Sequence, residues 1–251
     1  MRLLVRLKSV KVSEYDLNYF HKLQGFVYKL LMDTDYKVLH DRKGYKFFCF
    51  SNIFPVGDVK AGEERNLIIS SPDKVFIKVL EEKINKMMND KTKINIGDYE
   101  FIIDDVSTFQ QKLKRNVSLL SATPIVIRIP EKNYERYDIP VEFRKKRYVY
   151  WRPQYSFEAF VKQLEDNLIK KYNQFYHTNF EIENIFEVFK FKRPVVNHVV
   201  IKGKEKIIVG SIWEFKFSYL NLKQKKILEF GVDCGFGERN SLGFGFMNVV
   251  V

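Results

Sequence analysis

Residues 2–12 alternate apolar and charged positions, with Leu3, Val5 and Leu7 on one side and Arg2, Arg6 and Lys8 near the other. A period of two predicts a half-buried strand. Ser13 then reads as a helix N-cap, with Asp16 at the third helical position. The apolar spacing of Leu17, Phe20, Leu23, Val27, Leu30 and Leu31 predicts the helix, which fades near Asp33-Thr34-Asp35. A polar loop, Leu39-His40-Asp41-Arg42-Lys43-Gly44, leads into the aromatic and β-prone stretch Tyr45 to Ser51. Asn66 to Ser70 is a second short strand. Ser71-Pro72 marks a helix start, Ser as cap and Pro at the first helical position. Val75, Val79, Leu80, Ile84, Met87 and Met88 form its apolar face, and Ile94 to Phe109 returns to strand character around the turn Gly97-Asp98. The order β-α-β-β-α-β predicts an antiparallel sheet with two helices on one face, a ferredoxin-like unit.

The pattern then recurs in outline. Pro124 to Ile129 reads as a strand, residues 131–155 as irregular, and Ser156 as the cap of a helix carrying Phe160, Val161, Leu164, Leu168 and Tyr172. Glu181 to Lys192 is a strand, Val196 to Ile201 and Lys206 to Ser218 a hairpin around Gly203, Leu220 to Phe230 a helix, and Leu242 to Val250 a final strand. The fold class expected is therefore α+β, with two ferredoxin-like βαββαβ units in tandem and antiparallel sheets. The expected boundary puts residues 1–115 in an N-terminal domain and 116–251 in a C-terminal one. The repeat is architectural, without a period in the residues themselves.

Charge changes this picture. The chain has 251 residues, 43 Lys and Arg against 31 Asp and Glu, and a formal net charge of +12. Its 45% hydrophobic content is too high for a disordered polycation, and 16% of the chain is aromatic. A basic, aromatic-rich, foldable chain suits a polyanion, RNA or DNA before an acidic membrane surface. The same lysines also suit an ion-paired, thermophile-like surface. The two cysteines, Cys49 and Cys234, have no CxxC partner, which excludes a disulfide framework and a zinc or redox motif. They fit a reducing cytosol, so a cytoplasmic location is expected. No signal peptide is read at the start, and no run of 18 uncharged apolar residues is present to span a membrane. No His, Asp, Glu or Cys grouping has metal-ligand spacing, so neither a metal nor another cofactor is expected.

Glycines are sparse, yet Gly235, Gly237, Gly243 and Gly245 fall within eleven residues in the form GhGxxxxxGhG, where h is apolar. Glycine permits positive φ and close backbone approach, and exposed N–H groups in such a loop bind phosphate. Arg239, Asn240 and Ser241 add donors at the centre. A glycine-rich hairpin that only closes the core would have the same composition. It is not a P-loop, since GKS or GKT is missing.

A chain of two ferredoxin-like units ending in this glycine signature resembles the Cas6 family, the CRISPR repeat-processing endoribonucleases of the RAMP superfamily. His21-Lys-Leu-Gln24-Gly-Phe-Val-Tyr28 and Leu39-His40 through Lys46 to Ser51 are similar to that family's N-terminal helix and following strand, and Ser71-Pro72-Asp73 and Trp213-Glu214-Phe215 also fit. The resemblance implies an endoribonuclease that cuts CRISPR repeat RNA into guide RNAs. Its partners would be that RNA and a CRISPR effector complex, with no membrane, as a monomer or a homodimer. A RAMP-type subunit that binds RNA without cutting it is the other reading.

RNA can be cut without a metal because its 2′-hydroxyl is a nucleophile, leaving a 2′,3′-cyclic phosphate and a 5′-hydroxyl. The enzyme must move protons, which suits histidine near pH 7, and stabilise charge on phosphoryl oxygens, which suits lysine. Tyr28 in the last turns of the first helix, His40 in the following loop and Lys46 at the next strand could converge at one end of the sheet. The resemblance implies the same three as the catalytic set. Without it, His40 is equally a solvated loop residue, Tyr28 one of 14 tyrosines, and Lys46 a solvent-facing lysine. His21 lies two turns from Tyr28 and is the rival histidine; His177 and His198 read as structural or RNA-contacting.

For RNA binding, the candidates are the glycine loop (Gly235, Gly237, Arg239, Asn240, Ser241, Gly243, Gly245) and the basic run Arg144, Lys145 and Arg147. This run is followed by Tyr148, Tyr150, Trp151 and Arg152, an interleaving that suits phosphate contact and base stacking. Lys112, Lys114 and Arg115 in the inter-unit connection are further candidates for lining a cleft.

Overall fold

The computed structural model describes residues 1–15, 19–144, 147–201 and 204–250. Asp16 and Leu17, Lys145 and the turn at Gly203 lie outside the described residues. The chain forms two compact units. The first comprises Met1–Gln111 with His198–Lys206 and Ser241–Gly243; the second comprises Lys112–Asn197, Ile207–Asn240 and Phe244–Val251.

In the first unit, β1 (Arg2–Ser9) is followed by α1 (Tyr19–Leu31), β2 (Cys49–Phe50), β3 (Glu64–Ser70), α2 (Lys74–Asn89), β4 (Ile94–Ile96) and β5 (Tyr99–Phe109). The sheet order is β2-β3-β1-β5-β4, antiparallel throughout. Leu3, Val5 and Leu7 are fully buried, as their alternation predicts. They share one core with Leu23, Val27 and Leu31 of α1 and Phe76, Ile77, Leu80 and Ile84 of α2. Two local readings need correction. Ser13 is not a cap: it bridges Val59 across the sheet margin, and its hydroxyl donates to the Asp98 carbonyl at 3.1 Å. The cap of α2 is Asp73, whose carboxylate accepts from the N–H groups of Val75 and Phe76 at 2.9 and 3.1 Å. Ser71 instead donates to the Phe47 carbonyl and accepts from Asp73 N–H. On this helix Phe76 and Ile77 enter the core and Val75 is 62% exposed, so Val75 is not part of the apolar face expected of it.

The second unit contains β6 (Val117–Ser121), β7 (Arg128–Pro130), β8 (Tyr148–Tyr150), α3 (Phe157–Tyr176), most of β9 (Val188–Ile201) and β10 (Lys204–Phe217), α4 (Leu222–Cys234) and β11 (Met247–Val250). Its main sheet runs β11-β6-β10-β9, and β7 pairs with β8 separately. Strand, helix, two strands, helix and strand again give the expected ferredoxin-like order, and the tandem α+β reading holds. The opening strand is Val117–Ser121, whose residues pair with both β10 and β11. Pro124 to Ile129 is as apolar, but Ile125 and Val126 make only isolated bridges, to Ser211 and Glu238. The strand expected from Glu181 begins at Val188. Among the described residues no helix is long and apolar enough to cross a membrane.

Candidate functional site

Tyr28, His40 and Lys46 meet in the first unit. Tyr28 is 9% exposed on α1, with its ring edge-on to the buried Phe48 at 6.1 Å between centroids. After α1, Thr34 caps a short 3-10 helix over Asp35–Leu39 by accepting from Tyr36 N–H, and His40 closes it. The chain then reverses through Gly44, at φ +94°. Tyr45 to Ser51 does not form the long strand its composition suggests. Phe47 sits at φ +53°, and only Cys49–Phe50 pairs with β3. Phe48 stacks on Phe76 of α2 at 5.2 Å, and this anchor sets where Lys46 begins.

Lys46 Nζ donates to the Tyr28 hydroxyl at 2.6 Å and to the His40 carbonyl at 3.1 Å. It also lies 4.9 Å from the centroid of the Tyr28 ring. An ammonium has three N–H donors, and these contacts use two. The His40 ring stands edge-on to Tyr28 at 5.3 Å. Its Nδ1 is 2.8 Å from Asp41 Oδ1, and its side chain is 61% exposed. With Nδ1–H donating to Asp41, Nε2 is the accepting nitrogen of a neutral ring. The site therefore places an exposed imidazole edge-on to a buried phenol that is hydrogen-bonded to an ammonium. His21 is exposed on α1 and is not part of it. Among the described residues, no group of three or more His, Cys, Asp or Glu is placed to hold a metal ion.

The glycine loop is a second, separate feature, and most of its structure is in the second unit. Gly235, Gly237, Gly243 and Gly245 all have positive φ, +88°, +67°, +90° and +74°, and Arg239 joins them at +59°. A Cβ at Gly237 would lie 2.6 Å from the Val126 carbonyl oxygen, and one at Gly245 1.9 Å from that of Phe236. The close approach that the glycines permit here is therefore to the protein's own backbone. The Asn240 amide, read from sequence as a donor at the loop centre, turns inward: Nδ2 donates to the carbonyls of Phe236 and Phe244, each at 3.0 Å. Ser241 groups with the first unit, where its carbonyl accepts from Gln24 Nε2 at 2.9 Å. Arg239 is half-buried, and its charge acts on the phenols of Tyr148 and Tyr150.

Beneath the loop lies a residue the sequence reading missed. Lys171 of α3 is 1% exposed, and its ammonium donates to the carbonyls of Gly235 and Gly237 and to Asn240 Oδ1, at 2.5, 2.9 and 3.0 Å. A signal was present: Lys171 continues the apolar stripe Phe160, Leu164, Leu168, where a lysine is buried only if its charge is satisfied. Beside the loop, Glu238 pairs with Arg128, whose guanidinium stacks over the Tyr148 ring at 4.6 Å. Burial alone would raise the Tyr148 phenol, but a hydrogen bond with Tyr150 and the guanidiniums of Arg239 and Arg128 hold it below the ordinary value.

In the basic run, Arg144 Nε donates to the Ile139 carbonyl at 2.7 Å, and Arg147 is exposed. Tyr148 and Tyr150 are half-buried. Trp151 is not a stacking platform: it is 2% exposed and packs against Phe160 and Trp213 in the core, with its indole N–H donating to the Ser156 carbonyl. Lys112, Lys114 and Arg115 are exposed.

Comparison with known proteins gives a consistent picture. Residues 110–249 match the family model described as CRISPR associated protein Cas6, C-terminal. The chain is 32% identical over 261 residues to CRISPR-associated endoribonuclease Cas6 2 of Methanocaldococcus jannaschii, covering all of both chains. It is 30% identical over 261 residues to CRISPR-associated endoribonuclease Cas6 of Haloferax mediterranei, covering all of this chain and 94% of the relative. Among solved structures, one described as CRISPR associated protein Cas6 superposes with a TM-score of 0.72 at 24% identity, over 100% of this chain and 99% of the other. Another, described as a RAMP protein binding different RNA substrates, gives 0.74 at 20% identity over all of both chains.

Proposed function

This chain belongs to the Cas6 family of CRISPR-associated endoribonucleases, and from that premise we propose that it cuts CRISPR repeat RNA at Tyr28, His40 and Lys46, without a metal ion. The observation that carries the reading is the contact of Lys46 Nζ with both the Tyr28 hydroxyl and the His40 carbonyl. One ammonium thereby holds the phenol and the backbone of the histidine whose ring stands edge-on to that phenol. In this reading the imidazole Nε2 of His40 moves a proton between the reacting oxygens and the enzyme. Lys46 directs its remaining N–H at a phosphoryl oxygen, where negative charge grows as the bond to the 2′-oxygen forms. Tyr28 orients the nucleophile or shares the base role. Asp41 holds the His40 ring in one tautomer. The bond to the 5′-oxygen breaks, leaving a 2′,3′-cyclic phosphate on one fragment and a 5′-hydroxyl on the other.

Arg144, Lys145, Arg147 and the glycine loop, through Arg239, hold the RNA backbone. In the same reading the product RNA passes to a CRISPR effector complex in the cytoplasm.

The test is to incubate the protein with repeat-containing transcripts in EDTA and to weigh the fragments. Cleavage at one position in the repeat, with a cyclic phosphate on the 5′ fragment, is expected. Activity lost in EDTA and restored by Mg²⁺ or Mn²⁺, with RNA folding unchanged, would sink the 2′-hydroxyl mechanism. Binding of the repeat with no cleavage under any condition would make the chain a binding subunit.

A further inference from the structure

Burying an ammonium is costly unless each of its donors finds an acceptor, and an apolar replacement of a buried charged group is often no less stable. A lysine kept at such a place therefore needs a reason beyond stability. Lys171 is 1% exposed on α3 and spends three donors on one short stretch of chain: the carbonyls of Gly235 and Gly237 and Oδ1 of Asn240. Asn240 passes the restraint on, since its Nδ2 holds the carbonyls of Phe236 and Phe244. Residue 239 lies between two of the groups that Lys171 pins, Gly237 and Asn240. It is an arginine at φ +59°, a conformation that costs a residue with a Cβ and persists only where the surroundings fix it. Its charge acts on the Tyr148 and Tyr150 phenols, while its Nε is buried with no hydrogen-bond partner among the described residues. Arg239 is only half-buried, so part of its side chain stays accessible, and a guanidinium is the cation that pairs with a phosphodiester oxygen.

We propose that Lys171 is a positioning residue for RNA binding. From inside the second unit it locks the glycine loop in the one conformation that presents Arg239 to an RNA phosphate. Lys171 itself touches no RNA. The proposal rests on the reading that the loop holds RNA, and the experiment separates the two.

Lys171→Met keeps the length of the side chain and removes its donors. Lys171→Met, Arg239→Ala and the double variant are compared by thermal melting. Binding is then titrated with a repeat RNA over a salt series, at a temperature where all three are folded. Lys171→Met should bind about tenfold more weakly, with a salt dependence flatter by about one phosphate contact. The double variant should bind no more weakly than the weaker single one, because an Arg239 that is not presented has nothing left to lose. Wild-type affinity and salt slope in folded Lys171→Met, or losses that multiply in the double variant, would overturn the positioning role while leaving the loop reading intact. If Arg239→Ala binds as wild type at every salt concentration, the loop reading itself fails and the proposal falls with it. Should Lys171→Met not fold, Asn240→Ala releases the same restraint from the loop side and takes its place in the cycle, with the same outcomes.

Discussion

At the scale of single residues, the separation of roles in the candidate site gives distinct expectations. His40→Ala should slow single-turnover cleavage by about 10²–10⁴-fold while RNA affinity stays within a few-fold, because proton transfer is lost and little binding surface goes with it. A variant that cuts at the wild-type rate would remove His40 from the mechanism. Lys46→Ala should act mainly on the rate as well, since its contact strengthens as charge develops. Tyr28→Phe removes the acceptor at 2.6 Å from Lys46 Nζ and should cost less than His40→Ala. Strict additivity of Tyr28→Phe and His40→Ala would argue against a shared centre. The residue types of this site are visible in the sequence. The contact of Lys46 with Tyr28, eighteen positions apart, depends on Phe48 being anchored on Phe76, and no local spacing encodes that.

At the scale of elements, capping and backbone sign decide more than composition does. Asp73→Ala should lower the stability of the protein by at least about 1 kcal/mol, because two N–H groups at the start of α2 and the Tyr36 hydroxyl lose their acceptor. Ser71, which stands outside the helix, should not behave as a cap. A thermal melt of Asp73→Ala that matches the wild type would contradict this assignment. Gly245→Ala places a Cβ against the Phe236 carbonyl at φ +74°. It should lower the melting temperature and cost more than about 1 kcal/mol. A normal melt would mean that the loop relaxes freely and that its glycines are not needed for packing. The sequence shows the glycine spacing plainly. That most of the close approach is to Val126, Phe236 and Asn240, all within the protein, is a fact of the tertiary structure alone.

At the scale of the whole molecule, burial of ionisable groups ties stability to alkaline pH. Burial pushes the Cys234 thiol up from about 9 to about 11 in the fold, an effect that the nearby Lys171 ammonium opposes. A thiol whose proton is held more tightly in the folded state contributes stability that is complete below pH 9 and lost as pH rises towards 11. At the upper end this amounts to at most about 3 kcal/mol. Tyr134, Tyr155 and Tyr176 are shifted upward as well, chiefly by burial, and add to the same slope. Urea unfolding at pH 8 and pH 10.5 should therefore show a loss of stability in the wild type and a smaller loss in Cys234→Ala. Equal losses in the two would show that Cys234 does not titrate differently on folding.

What the sequence alone determined is what local period and residue type encode. The alternation in β1, the helical stripes, the βαββαβ order, the positive charge and the glycine signature all follow from side chains repeating at the spacing of their own element. It also offered Tyr28, His40 and Lys46 as candidates, through their residue types and the family resemblance. Tertiary structure decided everything that depends on a partner distant in the chain. Pro124 to Ile129 and Val117 to Ser121 are both apolar enough for a strand; pairing with β10 and β11 puts the second in the main sheet, while the first pairs only from Arg128 onward, with β8. Trp151 follows a run of cations and reads as a surface aromatic until Phe160 and Trp213 close around it. Lys171 stands on the apolar stripe of α3, but which groups satisfy its charge is set only when the glycine loop folds over it and its donors meet three oxygens. Burial and hydrogen bonding belong to pairs of groups, and a linear pattern records only one member of each pair.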